Sequence, residues 1–265
     1  MKLGLNTRRS LRLLILAIAP AMVAVATADE IRVASSGGFA AAYRALAPGF
    51  EARTGHKLVA VWGPSMGETS GAIPKRLERG EPIDVVIMVG DALNKLVQQG
   101  KVEDVGHRLL ANSKIGVAVK AGAAKPDVST VDGLKKALLN ARSIAYSDSA
   151  SGEFLSKVLF PRLGVADQIR SKSRMIPAEP VAQVVARGDA DLGFQQVSEL
   201  LPVAGIDFVG ELPDEAQQLT PFSAGVVAGT KLQGAAVQLI DYLSSTEAAP
   251  LIRKTGLTPA SAAAH

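Results

Sequence analysis

Residues 146 to 154 read YSDSASGEF and place three hydroxyls, on Ser147, Ser149 and Ser151, within five positions. Such a stretch serves as a nucleophile loop, a helix cap or a cradle for an anion. A serine nucleophile needs a base to take its proton. The Gly-x-Ser-x-Gly elbow is absent. Of the three histidines, His265 is the last residue, and neither His56 nor His107 has an evident aspartate partner in the sequence. The nucleophile reading is therefore the weakest of the three. The backbone N–H groups around Gly152 and the small residues Ser149, Ala150 and Ser151 suit a cradle, with Asp148 capping a helix or pointing away.

Four further turns share this chemistry. Ser35-Ser36-Gly37-Gly38 follows an apolar strand and opens a helix, so free N–H groups and the positive helix end face whatever lies above the sheet. Ser also caps helices routinely, and that plainer reading stands beside it. Trp62-Gly63-Pro64-Ser65-Met66-Gly67 follows a second strand, at the strand end where α/β proteins bind ligands. Glu179-Pro180-Val181 is a third strand-to-helix turn, with Pro at a first helical position. Gln195 and Gln196 end a short strand, and alternation along that strand turns at most one of them to a cleft. Five Ser-, Gly-, Pro- and Gln-rich turns at strand ends describe a cleft that holds an anion by neutral donors and helix N-termini.

Composition excludes other chemistries. Cysteine is absent, which removes disulfides, thiolate metal sites and cysteine nucleophiles. Three histidines with no His-x-x-x-His pair make a transition-metal site unexpected, and no cofactor is called for. The first 28 residues read as a secretory leader: a basic MKLGLNTRRSLR, the apolar LLILAIAPAMVAVA, and small residues before Asp29. The alternative, a membrane anchor, asks for ~20 apolar residues. TRRSLR loosely resembles a twin-arginine signal. Four of the 29 basic residues (Lys2, Arg8, Arg9 and Arg12) lie in this leader, leaving 25 against 25 acidic residues. The remainder is neutral, with no basic field for nucleic acid or a membrane surface.

The elements that must position these turns alternate along the chain. EIRVAS, KLVAVW, DVVIMV, IGVAVK, RSIAYS, KSRMIP and DLGFQQ read as strands, nearly continuous in hydrophobicity. Amphipathic segments at 39–53, 73–79, 91–99, 131–140, 152–162 and 179–187 separate most of them. This βαβα order implies parallel strands covered by helices. The late strand in 219–229, followed by two more helices, implies a chain that leaves a first lobe, builds a second and returns. The predicted lobes are 29–115 with 222–265, and 116–221, with a frayed tail GLTPASAAAH.

The runs IRVASSGGFAAAYRALAPGFEARTGHKL, RLERGEPIDVVI and VARGDADLGF resemble the periplasmic molybdate-binding proteins, type II solute-binding proteins of ABC importers. The resemblance covers 29–258 and implies a two-lobe α/β fold with mixed sheets flanked by helices and a cleft between the lobes. It implies a monomer in the periplasm, a small anion such as molybdate or tungstate as ligand, and an ABC permease as partner. It puts the family's first serine on Gly38, its second-loop serine on Ser65, its second-lobe loop on Ser149–Gly152, its later turn on Pro180-Val181 and its tyrosine on Gln196. About five extra residues follow Ser65. Glycine for serine, glutamine for tyrosine and a longer loop imply a roomier pocket for a carboxylate. SSGGF, WGPSMG, YSDSASG and GFQQVSELLP are similar to a branch that includes an aconitate isomerase, which implies an aconitate- or citrate-like ligand. For that proton shift the candidate acids and bases are Glu68, Tyr146, Asp148, Glu153 and Glu179, with Lys75, Arg76 and Arg174 as cations. Binding for import ranks ahead of turnover on the resemblance.

Overall fold

The computed structural model describes residues 28–177 and 179–260. Residues 1–27, nearly all of the expected 28-residue leader, and the last five residues lie outside them. Among the described residues no helix is long and apolar enough to cross a membrane.

Two sheets form. The strands are β1 (Glu30–Ser35), β2 (Lys57–Trp62), β3 (Val85–Val89), β4 (Arg108–Ser113), β5 (Ile115–Lys120), β6 (Ile144–Ser147), β7 (Ser173–Ile176), β8 (Leu192–Gln196), β9 (Ile206–Glu211), β10 (Thr220–Val226) and β11 (Thr258–Pro259). The first sheet has the order β11-β4-β10-β3-β1-β2 and the second β7-β6-β8-β5-β9. β1, β2 and β3 are parallel, as are β6, β7 and β8. β10 and β5 run antiparallel to their neighbours, so both sheets are mixed. These are the mixed sheets that the resemblance implies; the βαβα order alone implied parallel strands and misses β5 and β10, which enter each sheet directly from the other lobe without a helical crossover. β4, β9 and β11 were not among the predicted strands; the tail expected to fray pairs Thr258 and Pro259 with β4.

Helices cover the sheets: α1 (Gly37–Thr54), α2 (Ile73–Glu78), α3 (Gly90–Gln98), α4 (Val131–Asn140), α5 (Ala150–Phe154), α6 (Phe160–Arg162), α7 (Ala166–Ile169), α8 (Val181–Arg187), α9 (Val197–Leu200), α10 (Gln233–Leu243) and α11 (Ala249–Lys254). A π-helical turn, Leu155–Leu159, joins α5 to α6. α1 ends as its sequence demands. Gly55 adopts φ 78°, a left-handed cap that a side chain resists, and Thr54 Oγ1 donates to the Phe50 carbonyl. Phe39, Leu46 and Phe50 of α1 are fully buried against Ile31, Ile87 and Leu93, the first lobe's core. Each such side chain contributes roughly 1.5–3 kcal/mol of burial. Ile115, Leu134, Leu155, Leu159 and Phe194 build the second core.

Register places the functional turns together. Ser35 pairs with Trp62 and with Ile87, so the loops after β1, β2 and β3 leave the sheet at one level. Tyr146 pairs with Phe194 and Ser147 with Ile176, which aligns the loops after β6, β7 and β8. The chain crosses between sheets at Lys114 and returns between Glu211 and Thr220. Gln217 fastens both crossings: its Oε1 accepts from Ile115 N–H at 2.8 Å and its Nε2 donates to the Ile115 carbonyl at 3.0 Å.

Candidate functional site: the cleft between the lobes

The loops from both sheets enclose a cavity of about 410 Å³. Its wall includes Ser36, Gly37, Gly38 and Ser65 from the first lobe and Asp148, Ser149, Ala150 and Pro180 from the second. Gln195, Gln196 and Glu199 form part of it near the crossings. A larger hollow of about 970 Å³ lies across the far end of the second lobe, beside Lys120, Lys136 and Arg142, and none of the serine loops reaches it.

Each wall residue is set by its element. Ser36 precedes α1 with extended backbone, and its N–H is held by the Ile87 carbonyl at 2.8 Å. Its Oγ is buried and without a partner among the described residues, an unusual cost unless a ligand supplies one. The first N–H groups of α1, on Gly37 and Gly38, have no acceptor within the helix. A methyl group on Gly38 would overlap the ring of Phe222, and one on Gly37 would overlap the carboxyl of Glu199. Ser65 Oγ accepts from Val89 N–H at 2.9 Å, which leaves its proton for the cavity.

The opening serines form a chain. Ser147 Oγ lies 2.9 Å from Ser149 Oγ and 3.0 Å from Ser151 Oγ. Ser149 reaches the cavity; Ser151 is 1% exposed behind it. Gly152 abuts the Ser147 carbonyl so closely that a side chain would overlap it. The long loop after β2 is clamped from outside. Arg76 Nε donates to the Gly71 carbonyl at 3.0 Å and Arg79 to the Ser70 carbonyl at 2.7 Å, and Glu81 receives both guanidinium groups. Thr69, Ser70 and Gly71 thereby reach the cavity. Trp62 walls it as well, crossed edge-on by Tyr43 at 5.7 Å and capped by the Arg44 guanidinium at 4.3 Å.

Other predicted residues stand behind the wall. Ser35 turns its hydroxyl to the Ser36 carbonyl, Met66 packs on the first core, and Val181 is fully buried in α8. Both glutamines line the cavity, contrary to the expected alternation; Gln196 is the last residue of β8, paired with Ile115, and stands directly before α9. Gln196 Nε2 donates to Thr220 Oγ1 at 3.0 Å, tying the site to the returning strand. His56 accepts from the Asp29 N–H at 3.1 Å, and neither residue is part of the wall.

Of the candidate acids, Glu68 pairs with Lys75 and Glu153 with Lys157 outside the cavity. Tyr146 packs edge-on to Phe160, where burial raises its pKa. Glu179 lines the cavity but is held by Arg187, whose hydrogen bonds keep its carboxyl below the usual range. Asp148 also lines it. The candidate cations are elsewhere: Lys75 and Arg76 are paired as described, and Arg174 donates to the Asp189 carbonyl. No Lys, Arg or His lines the cavity among the described residues. The cavity wall therefore presents neutral donors beside acids. No cluster of His, Asp or Glu suited to a metal ion occurs among the described residues.

Sequence reasoning missed Glu199. It lies in the four-residue α9, half-buried, with its carboxyl at Gly37. Burial pushes its pKa up from 4.5 to about 7; a hydrogen bond from Gln195 opposes the rise and the charge of Asp148 adds to it. A carboxyl group that exchanges its proton near neutrality, beside hydroxyl and backbone donors, is equipped for general acid–base work.

Two mixed sheets joined by two crossings, with a donor-lined cleft between them, define a two-lobe binding protein. The chain belongs to the bacterial extracellular solute-binding protein family, whose model matches residues 31–258. It is 50% identical over 246 residues to the aconitate isomerase of a Pseudomonas species, covering 93% of this chain and 94% of that protein. It is 28% identical to the molybdate-binding protein ModA of Azotobacter vinelandii, across 93% of this chain and 97% of the relative. The solved periplasmic molybdate-binding protein of Azotobacter vinelandii superposes with a TM-score of 0.70 at 23% identity, covering 87% of this chain and all of that one. The sulfate-binding protein SubI of Mycobacterium tuberculosis superposes with a TM-score of 0.72 at 18% identity, covering 89% and 88%.

Proposed function

We propose that this protein is a periplasmic, cofactor-independent aconitate isomerase, with Glu199 as the group that moves the proton. The observation that carries the reading is the Glu199 carboxyl, raised to about 7 and set against the N-terminal turn of α1. A carrier for import needs donors and closure; it has no use for a desolvated acid at that place. The long β2–α2 loop and the half-identical aconitate isomerase favour the same ligand class.

In the proposed reaction ionised Glu199 takes a proton from the CH₂ beside a terminal carboxylate of aconitate. The C–H electron pair becomes the new C=C bond. The old double bond's electrons then take a proton from Glu199 at the other allylic carbon, so atoms and electrons balance without an oxidant. Negative charge that develops on the allylic carboxylate meets Ser36, Ser65, Ser149 and the free N–H groups of α1. A base near its operating pH serves both halves of such a shift.

The test uses the purified chain without added metal or nucleotide. Conversion of trans-aconitate is followed by ultraviolet absorbance, alongside thermal shifts with molybdate, tungstate, citrate and both aconitates. Turnover of trans-aconitate with a thermal shift by it is expected. A molybdate shift with no aconitate turnover would overturn the reading and return the protein to the importer class with an ABC permease.

A further inference from the structure

Ser198 is a buried polar residue that the cradle does not use. It stands in α9, beside Glu199, and is 1% exposed. Its hydroxyl donates to the Gly38 carbonyl at 2.6 Å, across 160 positions of sequence. Gly38 belongs to α1 of the first lobe, whereas α9 follows β8 of the second sheet. On the same turn, Val197 and Leu201 close on Gly256, where an added Cβ would stand 2.8 Å from each. The turn that carries Glu199 is thus fastened to the first lobe at two places.

That fastening matters because the turn cannot hold itself. A four-residue helix closes too few hydrogen bonds to persist without tertiary support. A glutamate has three rotatable bonds, and its carboxylate is strongly drawn to water. Keeping the carboxyl over Gly37 requires a fixed backbone beneath it, and the acceptor of the Ser198 bond is the neighbour of Gly37.

We propose that Ser198 is the positioning residue for Glu199, its bond to Gly38 holding the carboxyl over the first turn of α1 and out of bulk water. Without that bond the turn relaxes, the carboxyl reaches solvent at the cleft mouth, and it gives up its proton at lower pH. The kinetic arm of the test rests on the isomerase reading; the titration arm does not.

The experiment compares wild type, Ser198→Ala and Ser198→Cys. Carboxyl carbon NMR, assigned by loss of the signal in Glu199→Gln, follows the titration of Glu199, and trans-aconitate conversion gives pH–rate profiles. In Ser198→Ala the midpoint is expected to fall by about one unit or more as desolvation is relieved. The value of kcat is expected to drop about tenfold or more with KM within about threefold, the mark of lost positioning at the reacting group. Ser198→Cys, with a weak donor of similar size, is expected to fall between and carries the test if the alanine variant does not fold. A folded variant with an unmoved Glu199 midpoint overturns the proposal, even if its rate falls. Absence of turnover in wild type overturns the isomerase reading alone, and the titration then decides the role of Ser198.

Discussion

The carboxyl of Glu199 and the α-carbon of Gly37 touch with no space for a methyl group between them. One residue opens the helix after the first strand, the other belongs to a short helix entered from the second sheet. Their contact makes the glycine a condition for the acid's place. Gly37→Ala must displace the end of a flexible side chain rather than backbone, so the fold is expected to survive. Activity on trans-aconitate is expected to fall about tenfold or more, as for other misplaced catalytic groups. Equal rates in the alanine variant would break the link between the two residues.

Replacing the acid itself separates binding from turnover. Glu199→Gln is expected to lose about 10²–10⁴-fold in kcat, the usual share of a positioned acid or base. Calorimetry with a tricarboxylate that lacks a double bond is expected to show binding retained, because the amide still fits.

Stability carries the same signature with a defined sign. A carboxyl raised from 4.5 to about 7 is protonated in both folded and unfolded chains below the lower value and ionised in both above the higher. Between them only the unfolded chain releases the proton, so stability falls as pH rises through that window, by up to about 3 kcal/mol. Glu199→Gln removes the penalty. Its melting temperature is expected to match wild type near the lower value and exceed it increasingly towards the higher; parallel curves would contradict the burial of the carboxyl.

Ser36 tests the cradle. Its hydroxyl has no partner among the described residues, so Ser36→Ala is expected to change the stability of the free protein by no more than about 0.5 kcal/mol either way. Ligand affinity is expected to weaken by about 1.5–3 kcal/mol, the worth of a hydrogen bond to a charged group. The two effects are read in one thermal-shift titration with trans-aconitate.

Arg76 tests the clamp on the long loop. Arg76→Ala leaves the carbonyls of Gly71 and Trp62 without their donor and frees Glu81 on one side. The variant is expected to bind trans-aconitate more weakly by about tenfold, with a loss of stability of about 1–3 kcal/mol. Unaltered affinity would show that the loop needs no external brace.

The sequence made the frame and most of the cavity wall legible for physical reasons that also mark their limits. β1, β3 and α4 follow from continuous apolar runs and clean amphipathic spacing, and the turns at Ser36, Ser65, Ser149 and Pro180 sit at the strand ends where such elements must put them. β4 and β9 escaped because RLLANS and IDFVGE lack that apolar continuity, the first carrying exposed Arg108 and Leu109. Glu199 escaped because four residues show no period, and an acid after VS reads as solvated until a tertiary contact buries it. The cations Lys75, Arg76 and Arg174 suited a polycarboxylate by type, yet type alone does not say where a long side chain ends. The available signal for Glu199 was its position: the strand that ends in two glutamines leads into the same kind of turn as the others.

The three hydroxyls of Ser147, Ser149 and Ser151 share two contacts, and a hydroxyl has one proton to give. Ser147, at the centre of the row, therefore either accepts from both neighbours or passes its own proton to one of them. If Ser149 gives its proton to an anion in the cavity, its bond to Ser147 persists only with Ser147 as donor, and the bond from Ser147 to Ser151 then only with Ser151 as donor. The row thus couples the hydroxyl at the cavity wall to one that is 1% exposed behind it.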